Sequence, residues 1–373
     1  MVIGQGSVEM LVKDPANWRG RRVFLTGHTG FKGSWLALWL HRLGAEVTGF
    51  SLAPPTEPSL FEAARICELV THIEGDIRDW PAVQLAMAAA RPEIVFHLAA
   101  QPLVRLSYDQ PVETYATNVM GTVHVLEAAR QVGGVAAIVC ITTDKCYDNR
   151  EQIWPYRETD AMGGHDPYSS SKGCAELVVA AYRKSYFADS GVALASVRAG
   201  NVIGGGDYAV DRLIPDLIRA FERGEAPSIR FPNAVRPWQH VLEALGGYLM
   251  IAERLAGSEM KFADAWNFGP AEDDARPVSW IVERLRWVWG EHAAAAVPWC
   301  GAIPHEAGLL RLDISKARAM LGWTPSLSLE DALDWIVAWH KRVSANEDPR
   351  QVTLAQIDAY AARAAAVGVP QTS

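Results

Sequence analysis

The sequence predicts an α/β protein: a doubly wound parallel sheet with helices over both faces, and a smaller mixed α/β lobe formed mainly by the last third of the chain. Three observations predict it. Short apolar runs alternate with helical apolar stripes from Arg21 to about residue 200. The first run ends in a glycine-rich turn that opens a helix. After Asn201 the alternation loosens, and Pro and Trp become frequent (Pro227, Pro232, Pro237, Trp238, Pro270, Pro277). Strands separated by helical crossovers pair in parallel and need cover on both faces.

Each element follows from its own pattern. Residues 1–18 have mixed polarity, a proline at 15 and no period, so they are expected to be an extension. The run at 23–25 reads as a strand, 35–43 carries a helical apolar face, and 46–51 is the next strand. The rhythm continues with a strand at 94–98, a helix at 113–131, a strand at 137–142, a helix at 168–187 and a strand at 193–197. Beyond the loop at 204–211, helices are expected at 214–223, 279–288 and 329–343. The division expected is therefore an extension (1–18), a dinucleotide-binding domain (19–200) and a lobe (201–373) partly interleaved with the sheet.

Composition excludes several classes. The chain has 373 residues, 49% of them hydrophobic and 21% charged, which is too apolar for a disordered protein. Lys+Arg number 35 against 43 Asp+Glu, a net charge of −8, so nucleic acid and anionic membrane are not expected partners. The N-terminus lacks the basic and long apolar regions of a signal peptide, and no apolar run approaches the roughly 20 residues of a membrane span. The five cysteines form no C-x-x-C pair, and their odd number suggests no disulfide framework; a cytoplasmic location is expected. No metal-ligand spacing is present, since the ten histidines are scattered.

The glycine-rich turn is Thr26-Gly27-His28-Thr29-Gly30-Phe31-Lys32-Gly33. Between a strand and a helix, such glycines let the backbone approach a pyrophosphate, and the helix start offers free N–H groups. Ser51 stands 24 residues after Gly27, where an acidic residue would hold ribose hydroxyls. No arginine is there to receive a 2′-phosphate, so NAD is favoured over NADP, with modest affinity. Asp76 and Ile77 close the third strand; Asp76 is read either as an acceptor from adenine or as the N-cap of the helix beginning near Trp80. Leu98, Ala99 and Ala100 leave room for a flat cofactor, and His97 is read as a packed strand-end histidine.

Tyr168 and Lys172 lie at i and i+4, on one face of a helix after Asp166-Pro167. A lysine ammonium beside a tyrosine favours the phenolate and lowers its pKa toward that of a general base. Thr142-Thr143-Asp144-Lys145 ends the preceding strand. In a parallel sheet that edge is where ligands sit, so both pieces are expected to meet in one crevice.

Taken together, the glycine turn, His97-Leu98-Ala99-Ala100, Asn118, Thr142-Thr143-Asp144, the Tyr168-to-Lys172 motif and Arg198-Ala199-Gly200-Asn201-Val202 resemble the extended short-chain dehydrogenase/reductase family, with its Rossmann-type sheet. The segments at 267–270 and 321–325 extend the match to about residue 330. Within the family, the strings at 27–36, 142–147 and 236–241 resemble the nucleotide-sugar 4,6-dehydratases that act on CDP-glucose.

The resemblance implies a mechanism. Tyr168 takes the proton of the sugar 4-hydroxyl while C4 gives a hydride to NAD. Lys172 tunes Tyr168 and binds the nicotinamide ribose, and Thr143 hydrogen-bonds the 4-oxygen. Asp144 is the acid for departure of the 6-hydroxyl. Lys145, where the better-known dehydratases carry Glu, is the candidate base at C5. The cofactor set implied is Gly27, Thr29, Gly30, Phe31, Lys32, Gly33, Ser51, Asp76, Ile77, Leu98, Ala99, Ala100, Asn118, Thr142, Tyr168 and Lys172. Arg212 and Arg236 match diphosphate-binding positions, with Gln101, Asn201 and Arg311 as further substrate contacts. Some of the 14 tryptophans, Trp238 among them, are candidates to stack on a base, and most are expected in the core or at subunit contacts. The family commonly pairs through two helices per subunit, here those of Asn118 and Tyr168, so a homodimer or homotetramer is expected. Two other readings are a nucleotide-sugar 4-epimerase, which needs no acid for a leaving hydroxyl, and a non-catalytic cofactor-sensing protein on the same fold.

Overall fold

Seven strands form one parallel sheet in a computed structural model that describes residues 17–290, 293–301 and 307–367. In chain order the strands are β1 (Arg22–Thr26), β2 (Glu46–Ser51), β3 (Thr71–Glu74), β4 (Ile94–His97), β5 (Ala137–Ile141), β6 (Ala193–Ala199), β7 (Asn201–Ile203), β8 (Ser228–Ile229), β9 (Trp238–His240), β10 (Ala265–Phe268) and β11 (Val297–Pro298). The sheet runs β10-β6-β5-β4-β1-β2-β3; β7 pairs with β9, and β8 with β11. This is the Rossmann-type α/β arrangement expected, with one more strand than the sequence revealed.

Alternation along the strands explains the two covers. Phe24, Val95, Ile138 and Leu194 point to one face, under the helices Trp80–Ala90, Gly121–Val132 and Pro167–Ser185. Their neighbours Val23, Leu25, Ile94, Phe96, Val139 and Ala195 point to the other, under Phe31–Arg42, Val241–Ala256 and Pro349–Val367. A period of two on a strand buried on both sides requires apolar residues at every position.

The lobe has its own core, made by Ile214, Leu217, Ile218 and Phe221 of the helix Leu213–Glu222 with Ile281 and Leu285 of Val278–Trp289. The helix Leu329–Ser344 joins the two cores: Leu333 and Ile336 pack in the lobe, whereas Trp339 packs beneath the sheet and donates to the Thr353 hydroxyl at 3.0 Å. Ser328 and Asp331 start it with reciprocal side-chain-to-backbone bonds. Of the elements after residue 201, β10 is a strand of the sheet, and the helices Val241–Ala256 and Pro349–Val367 pack into the core beneath it rather than into that of the lobe.

Residues 1–16 of the expected extension lie outside the described residues. Its last residue, Trp18, belongs to the core: it is fully buried, lies 6.3 Å from the Phe96 ring, and donates to Glu253 Oε1 at 2.6 Å. All five cysteines are free thiols, Cys67 and Cys300 exposed. Among the described residues no helix is long and apolar enough to cross a membrane. Trp18→Ala leaves a cavity and removes the bond to Glu253, and is expected to cost about 3–5 kcal/mol, read as a lower urea midpoint with an unchanged m-value.

Candidate active site

The strands deliver their C-terminal ends to a single cavity of ≈ 980 Å³. It is lined by the turns after β1 to β6, and the lobe closes it with Asp207, Arg212, Arg236 and Trp238. β1 and β4 are neighbours from which the chain winds in opposite directions, the switch point where ligands bind in open parallel sheets.

The glycine turn fits a dinucleotide on its own geometry. Gly27 has a φ of +76°, and a Cβ there would come within 2.7 Å of the Ala99 nitrogen. A Cβ on Gly33 would lie 2.1 Å from the Gly27 carbonyl oxygen, so the helix can cross the turn only at glycine. Around Gly30 the space is open apart from that oxygen at 3.5 Å, and no side chain caps the helix Phe31–Arg42. An uncapped helix start facing a cavity suits a phosphate. Thr29, Phe31, Lys32, Ile77, Leu98, Ala99 and Ala100 line the same cavity. The Ser51 hydroxyl shares a 2.8 Å hydrogen bond with Thr29.

Two more of the residues read as cofactor contacts, Asp76 and Asn118, have internal partners. Asp76 is not the helix cap: that role belongs to Asp79, which accepts from Ala82 N at 3.2 Å. Asp76 lines the cavity and accepts from the Arg78 backbone at 2.9 Å and from its guanidinium at 2.9 and 2.6 Å, which holds its carboxyl below the usual range. Asn118 is buried away from the cavity lining. It sits in a wide π-helical turn, Ala116–Met120, accepts from Gln101 N at 2.8 Å, and donates to Gln101 O at 3.1 Å and Ser171 Oγ at 2.8 Å. It therefore fastens the turn after β4 to the Tyr168 helix. His97 is the packed histidine expected, bonded to Thr26 and Thr122 and pushed by burial to a pKa of about 3.

The Tyr168 helix, Pro167–Ser185, starts where it does because Asp166 caps it, accepting from Ser169 N at 2.9 Å, with Pro167 as its first residue. Tyr168, Lys172, Thr142, Thr143, Asp144 and Lys145 all line the cavity. The expectation that Lys172 lowers the Tyr168 pKa is not what this pocket does. Burial pushes the phenol well above its ordinary value, and the opposing influences are the Thr143 hydrogen bond and the Arg212 charge. Lys172 is itself pushed down by burial to about 8. Burial likewise raises Asp144, whose Oδ1 accepts from the Thr143 hydroxyl at 2.8 Å while Oδ2 is buried without a partner. A shift in that direction favours the protonated form, the form in which a carboxyl acts as a general acid.

Of the substrate residues, Asn201, Arg212 and Arg236 line the cavity; Arg212 pairs with buried Asp207 at 3.0 Å, and Arg236 donates to the carbonyls of Val235 and Ala307. Gln101 lines it too, but its amide is engaged by Leu103 and Thr114. Arg311 is exposed and is not part of the cavity wall; its strip pairs by backbone with Tyr156. Asp207 was legible only as an acid in a glycine-rich loop, and nothing in the sequence marks it as the partner of Arg212. No group of His, Cys, Asp and Glu able to hold a metal occurs among the described residues.

A glycine turn after β1 together with a Tyr/Lys pair and a Thr-Asp turn at the end of β5 defines a dinucleotide-binding site of the short-chain dehydrogenase/reductase type. Residues 24–335 match the GDP-mannose 4,6 dehydratase family, and the chain belongs to that family. A CDP-glucose 4,6-dehydratase of Salmonella typhimurium is 56% identical over 336 residues, covering 89% of this chain and 93% of that protein. A UDP-glucose 4-epimerase of Halalkalibacterium halodurans is 26% identical over 86% of this chain and 95% of its own. The dTDP-glucose 4,6-dehydratase DesIV of Streptomyces venezuelae, solved with NAD bound, shares the fold with a TM-score of 0.74 at 22% identity, over 88% of this chain and 99% of that one.

The Asp144 carboxyl also bears on stability. Because its pKa is raised above 3.8, the native state binds its proton more tightly than the unfolded chain does. Its contribution is therefore fullest below that value and falls as pH rises through the raised one. Asp144→Asn is expected to melt above the parent at about pH 8, with the difference shrinking toward about pH 4, as thermal scans across that range will show.

Proposed function

We propose that this chain catalyses the NAD-dependent dehydration of CDP-glucose to CDP-4-keto-6-deoxyglucose. The observation that carries the reading is Asp144, a carboxyl whose pKa burial raises, beside Thr143 in the cavity of Tyr168 and Lys172. An epimerase has no leaving hydroxyl to protonate. The 56% identity to a CDP-glucose 4,6-dehydratase over nearly the whole chain supports the same substrate.

Bound NAD supplies a hydride acceptor for C4 and, at the end, the donor to C6. Gly27, Gly30 and Gly33 admit its pyrophosphate, and Ser51, Asp76, Ile77 and Leu98–Ala100 wall the remainder. Arg212 and Arg236 take the sugar-nucleotide diphosphate. Tyr168 accepts the proton of the 4-hydroxyl, with Thr143 on the same oxygen. The 4-ketone acidifies C5, from which Lys145 removes a proton. Asp144 gives its proton to the 6-hydroxyl, which leaves as water. Lys145 then returns a proton to C5 as C6 is reduced, and the proton held by Tyr168 replaces the one lost from Asp144.

Val112, Tyr115 and Met120, on the segment that holds Asn118, and Leu177, on the Tyr168 helix, are exposed apolar side chains on neighbouring helices. They support the reading that a second copy docks there. Free thiols at Cys67 and Cys300 suit a cytoplasmic enzyme.

Incubation with CDP-glucose and NAD, followed by the alkaline absorbance of a 4-keto sugar, tests the function; formation of CDP-galactose instead would establish the epimerase. Tyr168→Phe is expected to lose about 10²–10⁴ in turnover while keeping its NAD-dependent rise in melting temperature. Lys145→Ala is expected to form no product and to place no solvent deuterium at C5, whereas the parent labels C5 fully. Leu177→Glu is expected to sediment at half the parent mass if the helices pair as proposed.

A further inference from the structure

Beneath the active-site turn lies a polar network to which no role has yet been given. Its centre is Glu176, one helical turn beyond Lys172 and fully buried. One carboxylate oxygen accepts from the Thr142 hydroxyl. The other accepts from Ser196 Oγ at 2.8 Å and from Arg198 Nη2 at 2.7 Å. Arg198 is buried as well. It donates to Tyr147 Oη at 2.8 Å and to the Glu158 carbonyl at 3.1 Å, and Tyr147 donates to Asn267 at 2.7 Å. The network ties together the Tyr168 helix, the end of β5, β6 and β10.

A carboxylate taken this far from water must be held by donors to stay charged. Here burial acts to raise its pKa, but the Arg198 charge and the bonds from Arg198, Thr142 and Ser196 outweigh it, and Glu176 stays ionised. The groups that face Lys172 can be named element by element. They are Glu176 on its own helix, Cys140 from β5, Cys146 from the turn after β5, Lys32 from the helix after the glycine turn, and His97 from β4. Burial keeps both thiols protonated and His97 neutral, and Lys32 opposes any positive neighbour. Among these groups Glu176 alone supplies negative charge.

We propose that Glu176 is a positioning residue for the reaction: clamped by Thr142, Ser196 and Arg198, its carboxylate keeps Lys172 an ammonium in the buried pocket and holds the turn bearing Thr143 and Asp144 against it. One acid thus couples the charge of the Lys172 amine to the placement of the acid-bearing turn. The kinetic part of this inference rests on the dehydratase reading; the amine's titration does not.

The test is competitive acetylation of the Lys172 amine with trace acetic anhydride across pH, read by mass spectrometry of its peptide. Midpoints are compared in the parent, in Glu176→Gln and in Glu176→Asp. Removing the charge is expected to lower the Lys172 midpoint by about one pH unit or more, while Glu176→Asp stays near the parent. In the dehydration assay, the alkaline limb of kcat is expected to move down by the same interval in Glu176→Gln, with KM for CDP-glucose little changed. Since Arg198 loses its carboxylate partner in Glu176→Gln, Glu176→Gln/Arg198→Met removes both charges, and a smaller fall in midpoint of the same sign is expected there, because a cation that disfavours the ammonium leaves as well. A midpoint unmoved in either folded variant overturns the proposal and leaves Glu176 a structural ion pair. If the parent does not dehydrate CDP-glucose, the functional reading fails on its own, and the amine titration still decides this one.

Discussion

A parallel sheet contains no hairpins, so every strand leaves at the same edge and returns through a helix on one face or the other. The rest of this protein depends on that constraint. Six strand ends converge on one crevice, and residues far apart in the chain (Gly27, Ser51, Asp76, Ala99, Asp144, Asn201) become neighbours without any local sequence reason to be. The lobe roofs that edge, with Asp207, Arg212, Arg236 and Trp238 in the cavity wall. The helix Leu329–Ser344, with one end in each core, fixes the roof to the floor.

Burial acts on this crevice with opposite signs for acids and bases. It pushes the Lys32 amine to about 7 and Lys172 to about 8, and it raises Asp144. In water these groups sit far apart on the pH scale; burial moves the amines down and the carboxyl up, so the gap between them narrows. Tyr168 is the exception: the same burial moves its phenol away from neutrality.

The parts of the fold legible in the sequence were those with a period or a punctuation mark. The strands near 23–25 and 46–51 and the Tyr168 helix were found because glycine, proline or a capping aspartate bounds them. The helix Val241–Ala256 was not, because it is buried on nearly every side and contains Gly246-Gly247, so it has neither an apolar stripe nor an obvious core. β10 has four residues and the helix Pro349–Val367 is rich in alanine without a stripe. At the site, motifs placed Tyr168, Lys172 and Asp144 in one cavity but did not reveal how deeply each is buried, and depth decides the pKa. The helix-cap reading of Asp76 failed for a related reason: a side chain's partner is a tertiary fact, and two aspartates three residues apart look alike until the backbone chooses between them. The bonds of Asn118 to Gln101 and Ser171 were hidden in the same way. Glu176 left one faint trace, a charged residue on the same stripe as Tyr168 and Lys172.

The wide turn at Ala116–Met120 has a consequence for how this sequence can vary. A π turn amounts to one residue more than an α-helix would use over the same path. Each residue along a helix is rotated by about 100° from the last, so losing that extra residue would turn one flank of the helix against the other. Thr114, which holds Gln101 on one side, and Thr122, which holds His97 on the other, could not then both face inward. Here the number of residues, more than their identity, sets which side chains face inward.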